Sequence, residues 1–254
     1  MKEDRQFVTA LARGLNILRC FTSERTELGT TEIGRLLGLP QSTVWRLCYT
    51  LQQMGYLIPG NDPERLRVGP AVLTLGFASL AQRSLVEVAL PRMAEIAHKY
   101  EASLSIAARD GLHMLIVGRE TAPTVLKLNF HVGTALRIER SAVGAAYIAA
   151  VSATERAQLM AEIEARYPDE WPYHRQYLEQ SFELYERHGY VTNLCHYHPD
   201  VNAIGVPIIS LDRKRVMALN CGGSSSIINQ RLLEGPIAEQ VKELATTLSS
   251  MLTM

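Results

Sequence analysis

Residues 30–68 constrain the fold most, because two short amphipathic helix patterns are joined there by a glycine-proline turn. The first helix is predicted at residues 31–37 and ends at Gly38-Leu39-Pro40, since glycine suits the left-handed position after a helix and proline stops its continuation. The second begins at Gln41. Its apolar residues recur at the i, i+3, i+4, i+7 spacing of a buried stripe, and they are Val44, Leu47, Cys48 and Leu51. Residues 56–68 then predict a β-hairpin.

The opposite face of the second helix is rich in hydrogen-bond donors and poor in acids. Hydroxyls and arginine can bind phosphates, and glutamine and arginine can read base edges. The pattern predicts a winged helix-turn-helix whose second helix enters the major groove of double-stranded DNA. Arginines on the first helix and on the wing are further candidates. The predicted DNA-binding residues are Arg13, Gln41, Ser42, Thr43, Trp45, Arg46, Tyr49, Thr50, Arg65 and Arg67.

Spacing alone leaves an alternative open, because a helical hairpin with a solvated polar face shows the same pattern. Arg13 is equally compatible with a phosphate contact and with a solvated helix charge or an internal salt bridge. The net charge of the whole chain is zero, and residues 1–69 carry nine Lys and Arg against seven Asp and Glu. Charge therefore supports nucleic-acid binding only weakly.

Length and composition favour one large or two modest domains, since the chain has 254 residues and 47% of them are hydrophobic. No apolar run reaches the length of a membrane span, and the N-terminus is too charged for a signal peptide. The four cysteines form no C-x-x-C pair. A reduced, cytoplasmic location is therefore predicted.

The segment 70–83 reads as a helix that is apolar on almost every side. Such a helix has to be buried, and we favour burial against the same helix of a second subunit, as a two-fold DNA site would require. Burial within one subunit is the alternative. An α+β class is predicted because helices and strands do not alternate strictly. The remaining predicted helices span residues 7–21 (with Leu11, Leu15 and Leu18 on one face), 85–100 (broken or tilted at Pro91), 141–151, 152–166, 174–188 and 229–252. The predicted strands span residues 102–107, 112–117, 125–130, 135–138, 203–210 and 215–221.

The order of several motifs resembles the IclR family of bacterial transcriptional regulators over nearly the whole chain. The motifs are residues 11–18, 42–47, 51–57, 66–69, 73–76, 133–134, 141–144, 189–190 and 204–208. The resemblance implies a winged helix-turn-helix domain at 1–69, a linker helix at 70–83 and a GAF-like, antiparallel-sheet effector domain at 84–254. It further implies dimers, paired into tetramers, that bind a palindromic operator and respond to a small organic acid.

In the resembled family the effector lies between the curved sheet and the helix that follows residue 141. Carried over by position, the effector-binding residues are Leu136, Ala142, Val143, Asn193, Ala203, Asn220 and Gly222, with Ile138 and Leu219 as further apolar walls. For Leu219 the alternative is that it faces the opposite side of its strand. The family more often has an acid at 193 and a hydroxyl at 220, where this chain has asparagines. These amides suit a larger hydroxylated or carboxylated ligand, and the segments 73–76 and 218–220 look most like the aromatic-acid branch. The alternative is that both asparagines bond backbone groups.

The sequence does not favour two other classes of function. Cys195, His196 and His198 form the one cluster that suggests a metal, but no third histidine or carboxylate has a diagnostic spacing, so no metal and no cofactor are predicted. No nucleophile elbow, phosphate loop or dinucleotide fingerprint is present in the sequence, and an enzyme is not predicted. We therefore predict a ligand-responsive regulator of a catabolic operon. The alternatives are a sensor or interaction module without DNA binding or, less favoured, a metal-dependent enzyme.

Overall fold

The computed structural model describes residues 6–22, 24–80, 84–123 and 130–252. The chain divides into two compact units, Met1–Gln82 and Arg83–Met254. The predicted division at residues 69 and 83 stays a prediction. None of the described helices is long and apolar enough to cross a membrane.

The first unit is built from four helices and a small antiparallel sheet. Its elements are α1 (Thr9–Arg19), β1 (Glu27–Gly29), α2 (Thr30–Leu37), α3 (Gln41–Gln53), β2 (Leu57–Pro59), β3 (Arg65–Val68) and α4 (Ala71–Leu80). As predicted, Gly38 takes the left-handed conformation after α2, with φ 63°. The helix-turn-helix and its hairpin wing share one core, which includes Ile17, Ile33, Val44, Cys48 and Leu57.

Two details of this unit differ from the sequence predictions. Strand β1 was not predicted, and it pairs with β3, which becomes the central strand in the order β1-β3-β2. Helix α1 turns a different face inward: Ile17 is fully buried, whereas Leu11 and Leu15 are 62% and 50% exposed. The apolar face predicted from Leu11 and Leu15 is therefore not the face that α1 buries within a single chain.

The second unit contains a six-stranded antiparallel sheet with helices on both faces, so the predicted α+β class is confirmed. Its strands are β4 (Ser103–Asp110), β5 (His113–Thr121), β6 (Ala135–Arg137), β7 (Val191–Leu194), β8 (Val201–Ile209) and β9 (Val216–Ser224), in the spatial order β6-β5-β4-β9-β8-β7. Its helices are α5 (Ser84–Tyr100), α6 (Ala142–Ala150), α7 (Ala153–Arg166), α8 (Trp171–His188), α9 (Gln230–Leu232) and α10 (Ala238–Met251).

Alternation along the strands sends successive side chains to opposite faces of this sheet. One set, which includes Leu104, Ile106, Ile204 and Leu219, packs in a core with α5 and α10. On the other face, strands β4, β8 and β9 carry mostly small or polar residues, and α6 packs on β8 and β9. A recess lies on this second face.

Several predicted boundaries in the second unit need correction. Helix α5 runs continuously through Pro91, α8 begins at Trp171 and not at residue 174, and strand β7 was not predicted. The terminal helix is interrupted by the π-helical turn Leu233–Ile237, where Gly235 leaves the helical region. The strand predicted at 125–130 lies outside the described residues except for Phe130, which is not in a strand.

Candidate DNA-binding surface and ligand cavity

The polar face of α3 points to solvent, and its apolar stripe is the part that packs on the unit. Val44, Cys48 and Leu51 are buried in the core. The predicted DNA-binding residues of the opposite face are exposed, apart from the half-buried Thr43, and they are Gln41, Ser42, Trp45, Arg46, Tyr49 and Thr50. A face packed on its own unit could not contact DNA. In the structure this face is exposed.

Local bonds order the exposed face. Gln41 Nε2 donates to Thr30 Oγ1 at 2.8 Å, which joins the starts of the two helices. Trp45 and Tyr49, one helical turn apart, stack with ring centroids 5.6 Å apart and planes 14° from parallel, although the residues are 59% and 52% exposed. Large exposed aromatic side chains in contact are typical of interaction surfaces.

The four predicted arginines differ in whether other residues of the unit hold their side chains. Arg65 Nη2 donates to Glu32 Oε2 at 2.7 Å and to the Glu27 carbonyl oxygen at 2.9 Å, so the guanidinium joins the wing to β1 and α2. The pKa of Glu32 lies below its ordinary value because the Gly29 amide donates to the carboxylate, with Arg65 adding to the effect. Arg13, Arg46 and Arg67 are exposed. The geometry therefore gives Arg65 a structural role and leaves the other three facing solvent.

A cavity of about 60 Å³ lies on the second face of the larger sheet, beside the N-terminus of α6. Six of the seven residues predicted to bind the effector line it, and these are Leu136, Ala142, Asn193, Ala203, Asn220 and Gly222. Val143 does not line it and lies in the core with Ile138. Leu219 is on the opposite face of the sheet, so Ile138 and Leu219 are not walls of this cavity.

Eight further lining residues were not predicted from the sequence, and they are Ser103, Arg119, Phe130, Ser141, Tyr197, Val201, Gly223 and Ser224. Arg119 Nη1 donates to Ser105 Oγ at 3.0 Å, and its Cζ lies 5.6 Å from the centre of the Phe130 ring. Burial lowers the pKa of the Arg119 guanidinium. The rings of Phe130 and Tyr197 meet edge to face at 5.8 Å. The cavity therefore combines one arginine with two aromatic walls.

The two asparagines of the cavity behave differently. Asn193 Nδ2 donates to the Arg140 carbonyl oxygen, and Asn193 Oδ1 accepts from the Tyr197 amide, each at 2.9 Å. Both ends of this amide are therefore used by the backbone. Asn220 Oδ1 is buried and has no hydrogen-bond partner among the described residues. Asn193 is therefore held by two backbone hydrogen bonds, whereas no described residue engages the Asn220 acceptor.

The His196 ring is held by contacts with neighbouring side chains. Its Nε2 lies 3.0 Å from His174 Nδ1, and its ring is stacked between Tyr173 and Tyr177. Burial, together with the charge of His174, lowers the pKa of His196 to about 4. Cys195 Sγ contacts Asn202 Oδ1 at 3.4 Å, and His198 lies near Asp200. Across the described ranges, no group of three metal-ligating side chains comes together.

A helix-turn-helix unit with an exposed polar helix, joined in one chain to a sheet unit with a small lined recess, is typical of a sensor-regulator class of protein. Comparison with known families is consistent with that class. Residues 10–58 match the IclR helix-turn-helix domain, and residues 77–250 match the bacterial transcriptional regulator IclR C-terminal domain. The chain belongs to the IclR family and is an IclR-type transcriptional regulator with a helix-turn-helix DNA-binding domain.

Individual relatives cover almost the whole chain. The HTH-type transcriptional regulator TsaQ1/TsaQ2 of Comamonas testosteroni is 27% identical over 239 residues, which are 93% of this chain and 86% of that protein. An IclR family transcriptional regulator from Brucella abortus is 36% identical, with a TM-score of 0.89 over 98% of this chain and 94% of its own. An IclR homologue from Microbacterium hydrocarbonoxydans, solved with 4-hydroxybenzoate, is 22% identical, with a TM-score of 0.73 over 96% of this chain and 98% of its own.

Proposed function

We propose that this protein is a cytoplasmic regulator that binds a palindromic operator as a dimer, with dimers pairing into tetramers, and senses a small organic acid to control a catabolic operon. The observation that carries the proposal is that α3 buries its apolar stripe and exposes its polar face. The other unit of the same chain contains a cavity with polar and aromatic lining residues. The cavity would bind the acid without converting it. Turnover of the acid would contradict this part of the proposal.

We expect Arg46 and the α3 hydroxyls to contact DNA, and their position on the exposed face of the helix supports this. Arg13 and Arg67 would add phosphate contacts on either side of α3. We expect a gel shift with the gene's own upstream DNA to weaken linearly with the logarithm of salt concentration, by a slope of about 0.9 for each phosphate neutralised. A flat salt response would instead favour a sensor or interaction module that does not bind DNA.

The acid we propose is aromatic, for three reasons. Phe130 and Tyr197 supply apolar ring faces and edges, Arg119 supplies a cation, and a homologue of similar fold holds 4-hydroxybenzoate. A dry cavity that accepts benzene has about 150 Å³. The present volume of about 60 Å³ is smaller, so a lining side chain has to move when a ring enters.

A second copy of the chain would cover the exposed apolar residues of the first unit. Leu73 and Leu75 on α4 are 73% and 53% exposed, and Leu11 and Leu15 on α1 are also open to solvent. Exposed apolar side chains in such number mark an association face, and a two-fold dimer would present two copies of α3 to a palindrome.

Replacing Leu73 with glutamate tests the dimer. We expect the variant to sediment as a smaller species than the wild type at micromolar concentration, because a charge would have to be buried at the interface. Leu211→Glu is the matched control, since Leu211 is 74% exposed in the second unit. Equal assembly of wild type and Leu73→Glu would place the interface elsewhere.

A further inference from the structure

Three cavity-face residues stand in one row across adjacent strands. Arg119 on β5 is in register with Ser105 on β4, and Ser105 is in register with Asn220 on β9. Residues opposite each other in neighbouring antiparallel strands point to the same face, and the strands are about 4.8 Å apart. Arg119 and Asn220 therefore reach the same cavity from two sides of Ser105.

Arg119 lacks an anionic partner within the described part of the chain. Its guanidinium donates to the neutral Ser105 hydroxyl, and burial lowers its pKa. A partly desolvated cation of this kind is costly unless an anion meets it. Arginine presents parallel N–H donors that match both oxygens of a carboxylate.

Asn220 supplies the complementary group. Its Oδ1 is buried without a partner, and an unsatisfied buried acceptor loses the hydrogen bonds it had in water. Ser105 Oγ, between the two residues, already accepts from Arg119. A donor on the ligand would satisfy Asn220, whereas a second carboxylate, which only accepts, would not.

We propose that Arg119 and Asn220 together select a hydroxylated aromatic carboxylate, with the carboxylate bound to Arg119 and the hydroxyl donating to Asn220 Oδ1. The inference rests on the proposed function, because it assigns the ligand class of the same cavity. Asn193 is less suited to this role, because two backbone hydrogen bonds already fix its amide.

A cycle of two variants and three probes tests the assignment with the full-length protein. Calorimetry and thermal shift are measured with 4-hydroxybenzoate, benzoate and methyl 4-hydroxybenzoate. We expect wild type to prefer 4-hydroxybenzoate over benzoate by about 3- to 10-fold, the effect of one neutral hydrogen bond, and over the ester by about 10- to 100-fold, the effect of a charged one. Asn220→Leu should lose only the hydroxyl preference, and Arg119→Gln only the preference for acid over ester.

Further variants keep the result interpretable. Arg119→Lys retains the charge and should keep a weaker acid preference if Arg119→Gln folds poorly. Arg215→Gln removes an exposed cation outside the cavity and should bind as wild type does. The inference would be overturned if Asn220→Leu kept the hydroxyl preference. It would also be overturned if wild type bound the ester as tightly as the acid, or bound none of the benzoates.

The proposed regulatory function is tested separately, by measuring how each ligand changes the affinity for the operator. If the benzoates follow the cycle but leave operator affinity unchanged, the ligand class holds and the regulatory proposal fails. If no benzoate binds but a different class of ligand shifts operator affinity, the assignment to Arg119 and Asn220 fails and the regulatory proposal stands.

Discussion

Arg46→Ala should weaken operator binding by about 5- to 150-fold for each half-site, the equivalent of about 1–3 kcal/mol for one base-edge contact. Arg46 is exposed on α3, one residue after Trp45, and the carbonyl of Arg46 is held by the Thr50 hydroxyl at 3.0 Å. The helix therefore stays ordered when the side chain is removed. Fluorescence anisotropy with a labelled operator at several salt concentrations measures the change.

A charge-matched control separates a specific contact from a general loss of positive charge. Arg187 on α8 lies in the other unit, its side chain is 72% exposed, and it forms only a surface pair with Glu183, so Arg187→Ala changes the net charge equally. We expect Arg187→Ala to leave operator affinity almost unchanged and both variants to keep ligand binding. Loss of DNA and ligand binding together in Arg46→Ala would show that Arg46 is a structural residue.

The helix-turn-helix was predictable because its determinants are local. The stripe from Val44 to Leu51, the left-handed Gly38 and Pro40 before α3 act over a few residues, and each is visible in the sequence. Exposure of the opposite face follows, since the helix has one apolar stripe and buries it.

The features of the same unit that were not predicted have a non-local cause. Strand β1 is three residues long and exists because β3 offers it a partner, with Leu28 opposite Leu66. No periodic signal marks so short a segment. Leu11 and Leu15 share a helical face, but periodicity identifies an apolar face without naming its partner, and within one chain that face remains exposed.

The cavity residues were predicted from family resemblance rather than from local sequence patterns. Resemblance transferred positions such as Asn193 and Asn220, but it did not separate the amide that the backbone uses from the amide that is free. Arg119 was missed because strand β5 was predicted to end near Val117, whereas it continues to Thr121. Its place in the cavity depends on register across β5, β4 and β9, which is a long-range property.

Gly144→Ala should lower the stability of the second unit by about 3 kcal/mol or more, at the upper end of overpacking effects. A Cβ at Gly144 would stand 1.8 Å from the carbonyl oxygen of Ile138, and one at Gly205 would stand 2.2 Å from that of Ala142. Both obstacles are backbone, so neither can rotate away. The first turn of α6 is held between the backbone at Ile138 and strand β8.

The same turn brings Ser141 and Ala142 to the cavity, so displacement of α6 should also abolish the stabilisation by ligand. Calorimetry should show the melting temperature of this unit falling by about 6–12 °C, given roughly 2–4 °C per kcal/mol at its size. Gly14→Ala is the control, because a Cβ there meets nothing within 4 Å and alanine in a helix is about 0.5–1 kcal/mol more favourable than glycine. A Gly144→Ala protein with wild-type melting and ligand binding would mean that α6 does not approach the sheet this closely, and the cavity geometry would then be wrong as well.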